Sequence, residues 1–334
     1  MAEKTSKRNG DIFFQLTKRH LLVFFKNKVR VMYTLLVPVI IFAVYLFFLR
    51  SMELTTVENE LLKLGVVKDE TLTHYIETLV DSWMLSGITA LSTITVSLQT
   101  NSVFVEDKQN GVNRDFASSP IHKNLLIGSY FFYNFIVTSL ICGLFLLVCL
   151  VYLACMGEFV ITFGNFMMVL LVMFVSTVSS TLMTVFLCSF LKTEGTLASL
   201  IAVFSTAIGF LIGAYMPLAM LPGWVQNFCA FIPGTYACSL LRYSFMDTPL
   251  KALQGYVLNS LQLENGEALL TQLTGSFGYN LNFFNTTVGP QYQSLALSVF
   301  IVVFLLLNIG FGQKLVSVLG VDKTMKKLKR KKQK

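Results

Sequence analysis

Long uncharged apolar runs recur along the chain at about Val31–Leu49, Trp83–Phe104, Leu125–Cys155, Phe163–Phe190, Thr196–Leu218 and Tyr292–Gln313. A bilayer span needs roughly 20 predominantly apolar residues. These runs show none of the period-two alternation of a membrane barrel strand, so they predict helices, the other form that satisfies its own backbone in lipid. The expected fold is an all-α polytopic membrane protein with six transmembrane helices.

One run is too long for one helix. Gly195–Leu241 holds 47 residues without a charge, about 70 Å as a continuous helix and more than twice a hydrocarbon core. Pro222, Gly223, Pro233 and Gly234 interrupt its second half. We read residues 221–241 as a re-entrant hairpin between the fifth and sixth spans. Its irregular backbone would be packed in protein or beside a water-filled cavity. A seventh crossing is the alternative, and it would place the basic C-terminus on the opposite side.

Charge supplies the orientation. Of 26 Lys and Arg, the segments on the N-terminal side of the six-span topology carry 21 and the opposite segments carry 5. This positive-inside bias puts both termini in the cytoplasm of a multi-pass plasma-membrane protein. The chain divides into a cytoplasmic segment with a connecting helix (1–30), a six-span domain (31–313) and a basic tail (314–334). Within the six-span domain lie an inner loop (105–123), the hairpin (221–241) and an outer loop (242–291). The stretch Asp11–Lys28 sets Ile12, Phe13, Leu16, Val23 and Phe24 on one side, as an amphipathic helix along the inner face does. The tail "KTMKKLKRKKQK" suits anionic lipid headgroups and needs no nucleic acid.

Composition agrees: 54% of residues are hydrophobic and only 13% charged, against about 25% charged in a soluble domain. The start of the chain is polar and carries no cleavable signal pattern. Six cysteines without CxxC spacing and three scattered histidines give no metal set. Cys229 and Cys238 could meet across Pro233, although buried free thiols are the simpler reading. Asn285 begins an Asn-Thr-Thr acceptor sequence of little weight by itself.

Intramembrane acids or bases, which ion-coupled carriers use, are missing from the cores of these runs. No Ser/His pair or HExxH motif lies on a span. No Walker A loop exists, because the chain contains no Gly-Lys dipeptide. The second span is unusual. Ser86, Thr89, Thr93, Ser97 and Thr100 recur at helical spacing, either as one wall of a substrate path or as hydrogen-bonding groups between helices. In the fifth span Gly209 and Gly213 form a GxxxG, a motif for close helix approach and a candidate dimer contact.

Between the second and third spans lies a polar stretch, "VFVEDKQNGVNRDFASSPIHKNLLIGSY". Glu106, Asp107 and Lys108 are followed by Gly111, then by Arg114, Asp115 and Phe116, and Pro120 leads into the third span near Gly128. With the six-span layout and the hairpin, this stretch resembles the first cytoplasmic loop of the permeases of type-2 ABC (ATP-binding cassette) exporters. "GVNRDF" is more polar than the family's usual run after the Gly. The resemblance implies that the loop is a coupling helix seated on a separate ABC ATP-binding subunit, which would bind ATP and Mg. This chain would hold no cofactor and would not be an enzyme. It also implies a dimer with a second permease copy or a paralogue, with Pro222, Pro233 and Gly234 at an outer gate. The charges of the loop would pair with the partner, and Phe116 would anchor it. The implied function is export of a hydrophobic or amphipathic substrate, whether drug, antibiotic, peptide or lipid-like molecule. A non-transporting membrane scaffold or sensor is the alternative.

Overall fold

The computed structural model describes residues 2–63, 68–112, 115–116, 121–157, 161–261, 277–279, 281–284 and 286–318. Helix α1 (Ala2–Lys26) ends at Asn27, whose side chain accepts from the Arg30 amide and caps α2 (Lys28–Val44). A π turn, Tyr45–Leu49, joins α2 to α3 (Arg50–Lys63). Asp69 caps α4 (Glu70–Thr100) by accepting from Leu72, and Glu70 adds a negative charge to its first turn. The short α5 (Ser102–Gln109) follows, then α6 (Lys123–Cys155), α7 (Phe163–Ser189) and α8 (Glu194–Leu211). Helices α9 (Gly223–Cys229) and α10 (Pro233–Leu261) precede a small antiparallel hairpin of β1 (Leu281–Phe283) and β2 (Thr286–Val288). The last helix is α11 (Pro290–Val318). The architecture is all-α apart from that hairpin, and six of its helical stretches are long and apolar enough to cross a membrane.

Helix α4 is the axis of the bundle. Every residue from Thr78 to Asn101 is buried, with α2, α6, α7 and α10 packed around it. Its hydroxyls explain how a helix so rich in Ser and Thr occupies that place. Ser86, Thr89 and Thr100 donate back to the carbonyls of Trp83, Leu85 and Val96. Thr93 lies 3.0 Å from both Ser176 and Ser180 of α7, and Ser97 lies 2.6 Å from Thr184. The hydroxyls thus seal α4 onto α7 through hydrogen bonds. Asn101 extends the seal, donating to Ser97 and Thr184.

Three expected boundaries move. The second helix starts at Glu70 rather than Trp83, because the intervening Asp81 is buried and fully paired. The first continues past Leu49 through α3, since Arg50 turns inward to that same Asp81. The fifth stops at Leu211, seven residues short of Leu218. There Gly213 takes φ +76°, its amide bonds to Phe210, and the next amide bonds to Gly209. This is a Schellman stop, whose left-handed position favours glycine. Gly209 is also committed within the chain, because a Cβ there would lie 2.2 Å from the Tyr215 ring. The expected dimer motif therefore ends a helix and seats a tyrosine.

The segment 221–241 forms a helix, a three-residue turn and the start of a second helix, with Pro233 at the first helical position, where its missing N–H costs nothing. The boundary expected at Leu241 falls inside α10, which continues for 20 more residues to Leu261. At its first turn Gly234 lies against Ile94 of α4 and Ile212, with room for no Cβ: the Ile94 Cδ1 would be 2.5 Å away. Further on, Arg242 stacks on Trp83, and Tyr256 donates to Asp69. The corner before Pro233 thus reaches the last two turns of α4, and α10 climbs back along the whole helix. Residues 233–242 are all buried, as such a turn inside a bundle requires. Cys229 and Cys238 are both buried free thiols.

Candidate functional site

The polar loop comes to lie at the end of the bundle where α1, α4, α6 and α7 meet. Asn101 breaks the chain between α4 and α5, and Gly111, at φ +77°, ends α5. The three charges of α5 are not presented outward. Glu106 accepts from Arg30 at the start of α2, at 2.6 Å. Asp107, 4% exposed, accepts both arms of Arg19 from α1, at 2.6 and 2.8 Å, and the Tyr130 hydroxyl of α6 at 2.6 Å. Lys108 donates to the carbonyls of Cys188, Ser189 and Leu191, closing the C-terminal end of α7, while its ammonium lies 4.3 Å from the centre of the Phe104 ring. Gln109 accepts from the first amide of α8. Glu106, Asp107 and Lys108, expected to offer their charges to a partner, are engaged within the chain. A buried carboxylate or ammonium is stable only when paired, and here the partners come from four other helices of the same chain.

The described residues beyond the end of α5 include Asp115 and Phe116. Asp115 is exposed, and Phe116 is half-buried beside α1, with the Arg19 guanidinium 5.6 Å from its ring centre. Arg114 and Pro120, expected in the same face, lie outside the described residues, as does Asn285 of the outer loop.

Helix α1 docks on this junction with the predicted stripe. Leu16 and Phe24 are buried, and Ile12, Phe13 and Val23 are partly so. The stripe also holds His20, which was not anticipated from the sequence. Its ring stacks 4.0 Å from Tyr130, between Arg19 and Ser129. Arginine only donates, so the Nδ1 of His20 accepts from Arg19, and the proton sits on Nε2 toward the Ser129 hydroxyl. Burial pushes this imidazole down to about 4, outweighing the pull of Asp107. The unfolded side chain titrates near 6.5. Between those values only the undocked form takes up the proton, so docking of α1 weakens as pH falls from about 6.5 to 4. Protease cleavage within α1 should rise over that interval in the native protein and be flat over it in His20→Phe. Equal pH dependence in both would remove His20 from that role.

At the other end of the bundle, the π turn places Tyr45 and Arg50, five residues apart, on one line facing α4. Asp81, fully buried, accepts from Tyr45, from Arg50 at 3.0 Å and from Tyr152 of α6 at 2.9 Å. π turns inside α-helices recur at functional sites. Beside this one lies an apolar groove of about 760 Å³, between α2 and α3 on one side and α8 and its following turn on the other. Ile40, Val44, Met52, Phe210 and Tyr215 line it, with a single acid, Glu53.

Asp81, Arg242, Glu53 and Arg19 were not singled out from the sequence. Asp81 and Glu53 stand just outside apolar runs, where a charge is read as a span boundary. Among the described residues no cluster of His, Cys, Asp or Glu has the arrangement of a metal site. A search among curated proteins finds no match. The family model for the ABC-2 type transporter matches residues 12–246, a region running from α1 through the junction, the groove and the corner before α10. The chain belongs to the ABC-2 type transporter family.

Proposed function

We propose that this chain is the transmembrane subunit of an ATP-driven exporter, moving a hydrophobic or amphipathic substrate out of the cytoplasm. Family membership implies an ABC ATP-binding subunit as partner and a permease role for this chain. ATP and Mg would be bound by that partner. The observation that carries the coupling part of the proposal is the paired junction. A force applied at Phe116 would pass through Asp107 to α1 and α6, through Glu106 to α2, and through Lys108 to α7. The coupling role of α5 is then to hold four helices in register, and the partner contact falls to Phe116, Asp115 and the residues after them. A second permease copy or paralogue completes the proposed assembly, and the lipid-facing sides of α2, α8 and α11 provide the surface for it. The groove beside the π turn is the proposed substrate path, in place of the sealed hydroxyl stripe of α4. Co-reconstitution with the ATPase in vesicles, followed by ATP-dependent movement of a fluorescent amphiphile, tests the proposal. Movement unaffected by ATP would overturn it.

The orientation has its own test. With single cysteines on a Cys-free background, an impermeant reagent on intact cells should label position 254 and spare position 334. Labelling at 334 would make α10 a seventh crossing. The proposed gate is the α9–α10 corner, with Pro222 opening α9 and Pro233–Gly234 opening α10, reaching in from the outer side to the last two turns of α4. Replacing Pro233–Gly234 by Ala–Ala crowds Ile94 and should cut transport severalfold with dimer formation kept. Unchanged transport at equal protein level would make the corner a packing element only.

A further inference from the structure

The groove contains one charge with no direct partner among the described residues. Glu53, on the first turn of α3, is 9% exposed. Its carboxylate has no hydrogen bond or ion pair among the described residues, although it feels the positive charge of Arg242. Neither neighbouring cation makes a direct contact with it. Arg50 is directed to Asp81 and Glu77. Arg242 donates to the Gly213 carbonyl, leaves its Nε without a partner and stacks 4.7 Å from Trp83, buried behind the groove and not part of its lining. A second polar group on the opposite wall, the Ser205 hydroxyl, is buried without a partner. Around these two the walls are methyl, thioether and aromatic groups of Ile40, Val44, Met52, Met84, Phe210 and Tyr215.

We infer that the groove is a binding site for amphipathic monocations, with Glu53 as the counter-charge and the apolar walls taking the hydrophobic body. The inference rests on the reading of the groove as the substrate path and names the class of molecule it selects. A buried acid with no partner is costly, and a ligand cation that pairs with it recovers that cost. Aromatic and thioether walls add attraction for a diffuse cation through Phe210, Tyr215, Met52 and Met84. The volume suits a drug-sized ligand, since pockets for such molecules span roughly 300–1,000 Å³. An anion would meet Glu53 at the groove wall while Arg242 is buried behind it, so the expected preference is for the cation.

The test is equilibrium binding to the full-length chain in lipid nanodiscs, with empty nanodiscs subtracted. The probes are tetraphenylphosphonium and tetraphenylborate, nearly identical in shape and opposite in charge. The wild type should bind the cation at least tenfold more tightly, and Glu53→Gln should lose that preference by weakening the cation alone. Equal affinity for the two ions in the wild type would overturn the inference, and that comparison does not depend on a variant folding. Undiminished cation binding by Glu53→Gln, with Ser205→Trp still abolishing it, would overturn the role of Glu53. Binding needs neither ATP nor the partner. Cation-selective binding without ATP-driven movement would therefore uphold this site while removing the export reading, and ATP-driven movement without charge preference would do the reverse.

Discussion

Replacing Asp107 with Ala is expected to release α1 from the bundle and to abolish coupled transport. Asp107 is 4% exposed and takes three hydrogen bonds, two from Arg19 and one from Tyr130. Removing it leaves a guanidinium and a buried tyrosyl hydroxyl without their acceptor. Breaking a buried pair costs about 3–5 kcal/mol, and the Arg19 side chain is about one third exposed, which places the expectation at the lower end. The observable is a lower unfolding midpoint of the purified protein, together with protease sensitivity within α1. Arg19→Ala alone should cost less, because it leaves Asp107 its bond from Tyr130. The double variant should recover part of the sum, as coupled neighbours do. Strict additivity would mean that the pair is not coupled and that α1 is held by its apolar stripe alone.

Truncating Phe116 to Ala is expected to act on the partner. Phe116 is the aromatic group of the described loop that remains partly exposed after the charges of α5 have been used internally. An interface anchor costs 2 kcal/mol or more on truncation, roughly thirtyfold in affinity. Affinity of the purified ATPase subunit for the permease should fall by that order, with membrane insertion and groove binding intact. The Glu106→Arg substitution would also weaken the complex, by an internal route, so adding Arg30→Glu should restore it. A loss that the second substitution fails to restore would return Glu106 to the partner interface.

The six crossings were legible because an uncharged run of 20 residues has few alternatives in a bilayer. The central position of α4 was half legible. Its hydroxyls at helical spacing announce a buried helix, but their partners on α7 lie 83 to 87 residues away, and no local pattern specifies them. The internal pairing of the junction was not legible for the same reason. "EDK" reads as charges for a partner, and only the fold brings Arg19, Arg30 and the end of α7 to it across separations of 88, 76 and about 80 residues. The GxxxG of α8 is read for its spacing, which reports which face two glycines share and does not report the backbone angle that makes Gly213 a stop. Asp81 and Glu53 were hidden by their charge. Both sit on helices that the hydropathy pattern would have ended or begun at them.

The measurement that bears most directly on the central claim is co-purification from native membranes with the tagged full-length chain as bait. The account predicts that an ABC ATPase subunit with a Walker A loop is recovered with the wild type in stoichiometric amount. It predicts sharply reduced recovery with Phe116→Ala, in the same preparation that still binds tetraphenylphosphonium. Recovery of the intact, folded chain with no ATPase under any mild extraction would contradict the claim and favour a membrane scaffold or sensor.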